Sequence, residues 1–484
     1  MKIKSIKENA LLNLIYTISN MIFPLITFPY VSRVLKADGM GKVSFFTAIA
    51  NYAIMLASLG ISTYGVRAIA KVRDDKAKLS KTFGELVIIN LLVTLVVITV
   101  LAISVPFIEK FNSEPTLVLI HYVLIISSVF GVNWLYFGLE QYTYITIRSI
   151  IFKIISLFFV FILVNDRGDY NLYAGITVFS LTGSYIVNFI YARNFISFKR
   201  RKLDLKQHYR PMLLLFASIL AISVYTNLDV VMLGFISGDE EVGLYTVAVK
   251  IKSLLLTAVN ALSIVLLPRL SYYISVNKKD EYNKILKKSI SMIFMLSVPL
   301  TVFFIINAKN SLLLLGGHEY ENAVLCMQIL MPILLISGFS NITGNQILIP
   351  LGKDLTFMKA VIIGSIVNLL FNCIFMPKYG CIGAAVATLV AEITQMGIQF
   401  KFSSKYVMPN IMWKTIIKIT ISSILAGVST VLLNPFVSIN IIVNFLISVL
   451  IFFGVYIVIL LILREKLLMP YVERICGAIR LRYK

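Results

Sequence analysis

Fourteen long apolar stretches divide this sequence, and the connections between them alternate between rich and poor in Lys and Arg. The stretches run over 10–33, 43–62, 83–108, 116–138, 146–164, 171–192, 211–236, 246–268, 289–308, 323–346, 358–376, 381–400, 415–434 and 441–463. Most are near the ~20 residues that carry a helix across a bilayer. Of the 45 Lys and Arg residues, 36 fall at the N-terminus, the even-numbered connections and the C-terminus, and seven at the odd-numbered connections. Lys250 and Lys252 lie inside the eighth stretch. Basic loops stay on the cytoplasmic side, so both termini are expected there. The clusters from Arg67 to Lys81 and from Arg193 to Arg210 then face inward, and Asp239, Glu240 and Glu241 face outward. The expected class is an all-α integral membrane protein of the cell membrane (plasma or inner), with 14 transmembrane helices.

Composition agrees. Hydrophobic residues make up 58% and charged residues 14% of the 484 positions, against an apolar share of about 45–50% in soluble domains. The net charge of +22 raises the question of nucleic acid, but the basic residues sit at the inner ends of apolar helices with no folded basic domain to present them. Anionic inner-leaflet lipid is the expected counter-ion, and no nucleic acid is expected. Lys2, Lys4 and Lys7 before an apolar run imitate a signal peptide. The run is too long and lacks a small-residue cleavage site, so it reads as a retained first helix. Cys326, Cys373, Cys381 and Cys476 have no metal-binding spacing. Cys373 and Cys381 flank one outer connection and either pair or remain apolar thiols.

No connection is long enough for a globular domain. The longest, 63–82, 193–210 and 269–288, are basic and compatible with helices along the inner surface. A faint internal repeat has an offset of 202 residues: Gly41 and Arg67 flank the second stretch as Gly243 and Arg269 flank the eighth. Both halves start inside, which suits parallel repeats about an axis normal to the membrane. The expected organisation is two six-helix lobes related by a pseudo-two-fold, 1–192 and 211–405, around a central cavity. A cytoplasmic linker, 193–210, joins them, and 406–484 adds two C-terminal helices and a basic tail.

A catalytic constellation is missing from the connections. His121, His208 and His318 lie apart, and neither HExxH, a Ser/His/Asp pattern nor a phosphate-cradling glycine loop is present. Ionisable residues inside the stretches carry more information. A charge at the bilayer centre costs on the order of 2.5–3.5 kcal/mol on insertion scales, so it usually faces a wet cavity or a partner. Asp229 lies about 10 Å and Lys250 about 6 Å from the outer ends of their helices at ~1.5 Å per residue. They either pair across the hairpin or serve a substrate. Lys250 and Lys252 point about 200° apart on a helix, so at most one faces any given cavity. The other snorkels or pairs elsewhere. Glu392, in the middle of the twelfth stretch, is a candidate coupling carboxylate through a burial-raised affinity for protons, or simply a buried neutral group. Arg33, Arg148 and Lys153 are interfacial anchors or a cationic lining suited to phosphate. Asn341, Asn345, Gln346, Asn368 and Asn372 are amides at helical spacing that either glue helices or line a polar passage. Pro24, Pro29, Pro299, Pro332 and Gly338 place breaks where helices would hinge.

Three strings are specific: FPLITFPYVSRVLKADGMGKVSF followed by LGISTYGVRAIAK, then NLDVVMLGFISGDEEVGLYTVAVKI ending in VLLPRLS, then NITGNQILIPLGKDLTFMKAVIIGSIVNLLFN running into GCIGAAVATLVAE. In this order they resemble the Wzx-type polysaccharide flippases of the multidrug/oligosaccharidyl-lipid/polysaccharide exporter superfamily, over almost the whole chain. The resemblance implies a cationic cavity between two lobes and alternating access that moves an undecaprenyl-diphosphate-linked oligosaccharide to the outer leaflet, for capsule or O-antigen. It makes Arg33, Lys42, Asp229, Lys250 and Glu392 cavity candidates, with H+ or Na+ as coupling ion and other polysaccharide assembly proteins as partners. No cofactor or metal is implied, and a transporter rather than an enzyme. A drug/cation antiporter of the same superfamily is one rival, and a membrane polymerase or glycosyltransferase another. The antiporter would carry a carboxylate-rich site, and the enzymes a large outer loop.

Overall fold

The computed structural model describes residues 6–197, 203–433, 440–465 and 467–469. Part of the basic linker (Lys199, Arg200, Arg201 and Lys202), the end of the thirteenth stretch and most of the tail with Cys476 lie outside the described residues. Among the described residues every regular element is helical, and 11 helices are long and apolar enough to cross a membrane. The chain forms two compact units, Met1–Gly243 and Leu244–Lys484.

The first unit contains α1 (Ile6–Ser58), α2 (Ile61–Val72), α3 (Lys76–Ser104), α4 (Glu109–Ser113), α5 (Pro115–Ser127), α6 (Asn133–Gly138), α7 (Tyr142–Leu163), α8 (Tyr170–Ala192) and α9 (Lys206–Ile236). At 53 residues α1 is more than twice bilayer length, and Lys36 breaks it with φ 62 and ψ −177. That conformation costs a non-glycine residue on the order of 1–3 kcal/mol, and it falls inside the expected first outer turn. Gly60, at φ 82, starts α2 as a separate helix. Asp75 caps α3 through the N–H groups of Ala77 and Lys78. The Lys78 and Ala77 N–H groups hold its carboxyl below the usual carboxylate range. One core cluster gathers Ile69, Phe83, Leu86, Trp134, Leu135 and Tyr136. Gly65 lies flat under the Trp134 ring, where a Cβ would meet ring carbons at 2.9 Å. Leu91, Leu95, Val96 and Val100 of α3 are exposed, as suits a face that meets lipid rather than water.

Where α1 meets the start of α10, two glycines allow backbone to touch backbone. A Cβ on Gly41 would run into the carbonyl of Asp239, and one on Gly243 into the carbonyl of Ala37. The 202-residue offset maps Ala37 onto Asp239 and Gly41 onto Gly243, so the two segments meet through equivalent positions. Lys110 reinforces the junction, 2.6 Å from Asp239 Oδ1 and donating to the Gly234 carbonyl at 2.6 Å. Phe45 packs edge-on against Phe235 at 5.0 Å. Arg67 and Arg269, the other repeated pair, are both exposed.

The second unit contains α10 (Asp239–Ser275, which starts at the end of the first unit), α11 (Lys279–Ile306), α12 (Ala308–Leu315), α13 (Val324–Leu330), α14 (Ile333–Asn341), α15 (Asp354–Val407), α16 (Trp413–Leu433) and α17 (Ile441–Ile462). α10 and α11 continue well past their apolar stretches, so the expected connection 269–288 shrinks to a turn between Ser275 and Lys279. Gly380, at φ 52 and ψ −128, bends the 54-residue α15 inside the expected turn 377–380. The tenth stretch is broken at Pro332 and ends in a π-helix, Ile342–Leu348, a geometry that recurs at functional sites. Phe303, Ile419, Phe452 and Tyr456 form one core cluster, and Val259, Leu286, Ile290 and Ile347 another. Cys326, Cys373 and Cys381 are free thiols.

Candidate functional site

The fourth stretch does not run through as one helix. α5 ends at Ser127, a 3-10 turn spans Ser128–Phe130, and Gly131 and Val132 separate it from α6. A Cβ on Gly131 would press on the Tyr185 ring at 3.0 Å. The break delivers Asn133 to Arg148, whose Nη2 donates to Asn133 Oδ1 at 3.2 Å and whose Nη1 donates to the Ser184 carbonyl at 3.3 Å. Asn188 donates to the same Asn133 oxygen at 2.7 Å. The guanidinium lies 5.8 Å from the Tyr144 ring centre. Arg148 is 6% exposed, well below what an interfacial anchor keeps. Asn133 also lines a 360 Å³ polar cavity with Asn51, Ser58, Ser62, Asn90 and Tyr185.

On the same helix, Lys153 donates to Ser19 Oγ at 3.0 Å and Asn20 Oδ1 at 2.5 Å. Its ammonium also stands over the rings of Tyr16 and Phe23, at 5.7 and 5.8 Å. Among the described residues, no carboxylate comes within ion-pair distance of Arg148 or Lys153; amides, hydroxyls, a carbonyl and ring faces are their partners. Other cations do have acids: Lys42 with Glu114 at 2.7 Å, Arg73 with Glu140 at 2.7 Å, Lys418 with Glu465 at 3.7 Å. Embedding a cation without a counter-charge costs several kcal/mol. An anion brought to α7 recovers part of that cost.

The remaining sequence candidates distribute widely. Arg33 is exposed, while Lys42 joins Glu114, Asp38 and the face of Tyr170 in an ion cluster. Asp229 is buried in the first unit. Lys250 and Lys252 are half-buried and Glu392 is buried in the second. Asn341 donates to Asn260 Oδ1 at 2.9 Å, and Asn372 to Asn368 Oδ1 at 3.1 Å, both within helix packing. Asn345 is half-buried and Gln346 fully buried in the π-helix, where the Gln346 carbonyl accepts from Tyr282.

Sequence reasoning missed Asn133, Asn188, Ser19 and Asn20. The readable signal was Gly131 and Asn133 interrupting an apolar run. It also missed a triad built on the buried pair Glu85 and His208. Tyr64 Oη lies 2.8 Å from His208 Nδ1, His208 Nε2 lies 2.9 Å from Glu85 Oε2, and Glu85 Oε1 accepts the Asp204 N–H at 2.7 Å. The three side chains pair their polar atoms with one another. Removing Glu85 strands the His208 and Asp204 donors. Glu85→Ala is expected to cost about 3 kcal/mol, read as thermal unfolding of the detergent-solubilised protein, with Glu85→Gln losing less.

The profile of polysaccharide biosynthesis proteins matches residues 6–274, more than half of the sequence. The chain belongs to the polysaccharide biosynthesis protein family. A MatE profile also matches residues 215–374. Among relatives of this polysaccharide biosynthesis protein, the "Putative O-antigen transporter" of Escherichia coli strain K12 is 25% identical over 416 residues, covering 83% of this chain and 98% of that protein. The protein of the same description from Shigella dysenteriae is 24% identical, over 80% of this chain and 97% of its own. The fold resembles that of the lipid II flippase MurJ in its inward closed conformation, with a TM-score of 0.72 at 16% identity over 95% of this chain and all of that one. The polysaccharide biosynthesis protein is a multi-pass integral membrane protein.

Proposed function

We propose that the protein is a flippase that carries an undecaprenyl-diphosphate-linked oligosaccharide from the inner to the outer leaflet by alternating access, for capsule or O-antigen. One observation carries the reading: among the described residues, two cations five positions apart on α7, Arg148 buried and Lys153 half-buried, have polar but no acidic partners. A diphosphate supplies the missing charge, and a planar guanidinium can grip it through two parallel hydrogen bonds. The names of the O-antigen relatives support the substrate class. The kinks at Lys36 and Gly380 support dividing α1 and α15, which with α9 brings the helix count to fourteen. In the same reading both termini are cytoplasmic, and Arg33 in the first unit and Lys250 and Lys252 in the second serve the anionic head group. Buried Asp229 and Glu392 couple transport to H+ or Na+. The amide groups of Asn341, Asn345, Gln346, Asn368 and Asn372 contact substrate or hold the helices of the second unit in place.

The protein reconstituted in liposomes, with undecaprenyl-diphosphate-linked repeat units as substrate, tests this. Translocation is expected to exceed that of empty liposomes, as measured by exposure of the glycan to a membrane-impermeant glycosidase. Export of a cationic dye against a proton gradient, with no glycan movement, would instead identify an antiporter.

A further inference from the structure

The inner end of the first unit holds a second polar cavity, of 370 Å³, lined by Asn9, Asn13, Phe137, Glu140 and Tyr142 among others. Its volume falls in the range of small-molecule sites, roughly 300–1,000 Å³. The turn between α6 and α7 builds it, with Glu140 held in a left-handed conformation at φ 58. Arg73 fixes one Glu140 oxygen at 2.7 Å and Asn9 Nδ2 donates to the other at 3.3 Å. Asn9 is 7% exposed, and its Oδ1 is buried with no hydrogen-bond partner. A run of ring contacts leads from this pocket to the cation site: Tyr142 to Phe137 at 5.8 Å, Phe137 to Tyr16 at 6.2 Å, and Tyr16 to the Lys153 ammonium at 5.7 Å. Tyr142 precedes Arg148 by six residues, about 9 Å along a helix at ~1.5 Å per residue.

Resting on the flippase reading, we propose that this pocket binds the lipid-proximal sugars of the substrate while Arg148 and Lys153 hold the diphosphate. A sugar presents hydroxyls that both donate and accept, and C–H faces that lie on aromatic rings. The pocket offers amides from Asn9 and Asn13, spare carboxylate lone pairs on Glu140, and the rings of Phe137 and Tyr142. Glu140 is already paired with Arg73, and among the described residues no Lys or Arg lines the pocket, so the diphosphate stays with Arg148 and Lys153.

The test measures binding of two probes to the full chain in nanodiscs: undecaprenyl diphosphate alone, and the same lipid carrying its oligosaccharide. Wild type is expected to prefer the glycosylated lipid by roughly tenfold, what one or two neutral hydrogen bonds and a stacked ring supply. Asn13→Ala, on an exposed position of α1, and Tyr142→Ala should each erode that preference, with Tyr142→Phe retaining most of it. Arg148→Gln should weaken both lipids together and leave the preference in place. Equal wild-type affinity for the two probes, or a preference untouched by Asn13→Ala and Tyr142→Ala, overturns the sugar site and leaves the flippase reading standing. Binding of neither probe overturns both.

Discussion

Valine in place of Gly41 or Gly243 is expected to abolish translocation. At both positions the obstacle is backbone: the Asp239 carbonyl with the Gly243 nitrogen behind it at 3.0 Å, and the Ala37 carbonyl with the Ala37 Cα behind it at 2.9 Å. A flexible side chain could rotate away, but a carbonyl can move only with its helix. Overpacking a well-fitted contact costs about 1–3 kcal/mol, and with two backbones in contact the upper end applies. The segments must separate, drawing Lys110 away from Asp239 and Phe45 away from Phe235. Gly41→Ala should already impair transport, and Gly41→Val should eliminate it. Gly84→Ala and Gly175→Ala, where a Cβ meets nothing within 4 Å, should transport normally. The measurement is glycan translocation per molecule of membrane-inserted protein. Wild-type rates for Gly41→Val and Gly243→Val would remove the junction from the mechanism.

These two glycines also mark what the sequence could disclose. A match at an offset of 202 residues looked faint because only a few positions carried it. Of those positions, Gly41 and Gly243 are ones where backbones touch and no side chain fits, so few residue types can stand there. The helical class was readable for a related reason: apolar length and the sidedness of Lys and Arg are properties of composition, and the bilayer enforces them segment by segment. Partner choice is different in kind. Nothing local says that Lys42 ends on Glu114 while Arg148 ends on Asn133, since both are basic residues near helix ends. The interruption at Gly131 and Val132 decides the second pairing, and an apolar run with one Asn gives little warning of it. Glu85, two residues into an apolar stretch, was hidden because its partners Asp204 and His208 come from a distant segment, and Tyr64, which bonds to His208, from a third.

Arg148 and Lys153 yield the sharpest separation of function from stability. Arg148→Met removes a buried cation that has no acid within ion-pair distance among the described residues, and Asn133 Oδ1 keeps the hydrogen bond from Asn188 at 2.7 Å. Replacing a poorly compensated buried charge by an apolar side chain of similar volume is often neutral or stabilising, so the melting temperature should hold or rise. Translocation should fall at least ~30-fold, because truncating one side of a desolvated charge pair costs about 2–5 kcal/mol and each ~1.4 kcal/mol is a factor of ten. Arg148→Lys should recover little, since one ammonium cannot span both the Asn133 oxygen and the Ser184 carbonyl while presenting a fork to the diphosphate. Lys153→Arg should be milder, because Ser19 and Asn20 accept from a single point donor. If both cations grip one diphosphate, the double variant Arg148→Met/Lys153→Met falls short of the sum of the single losses. A purely structural Arg148 predicts the opposite signature: a lower melting temperature, and transport restored to normal once protein abundance is matched.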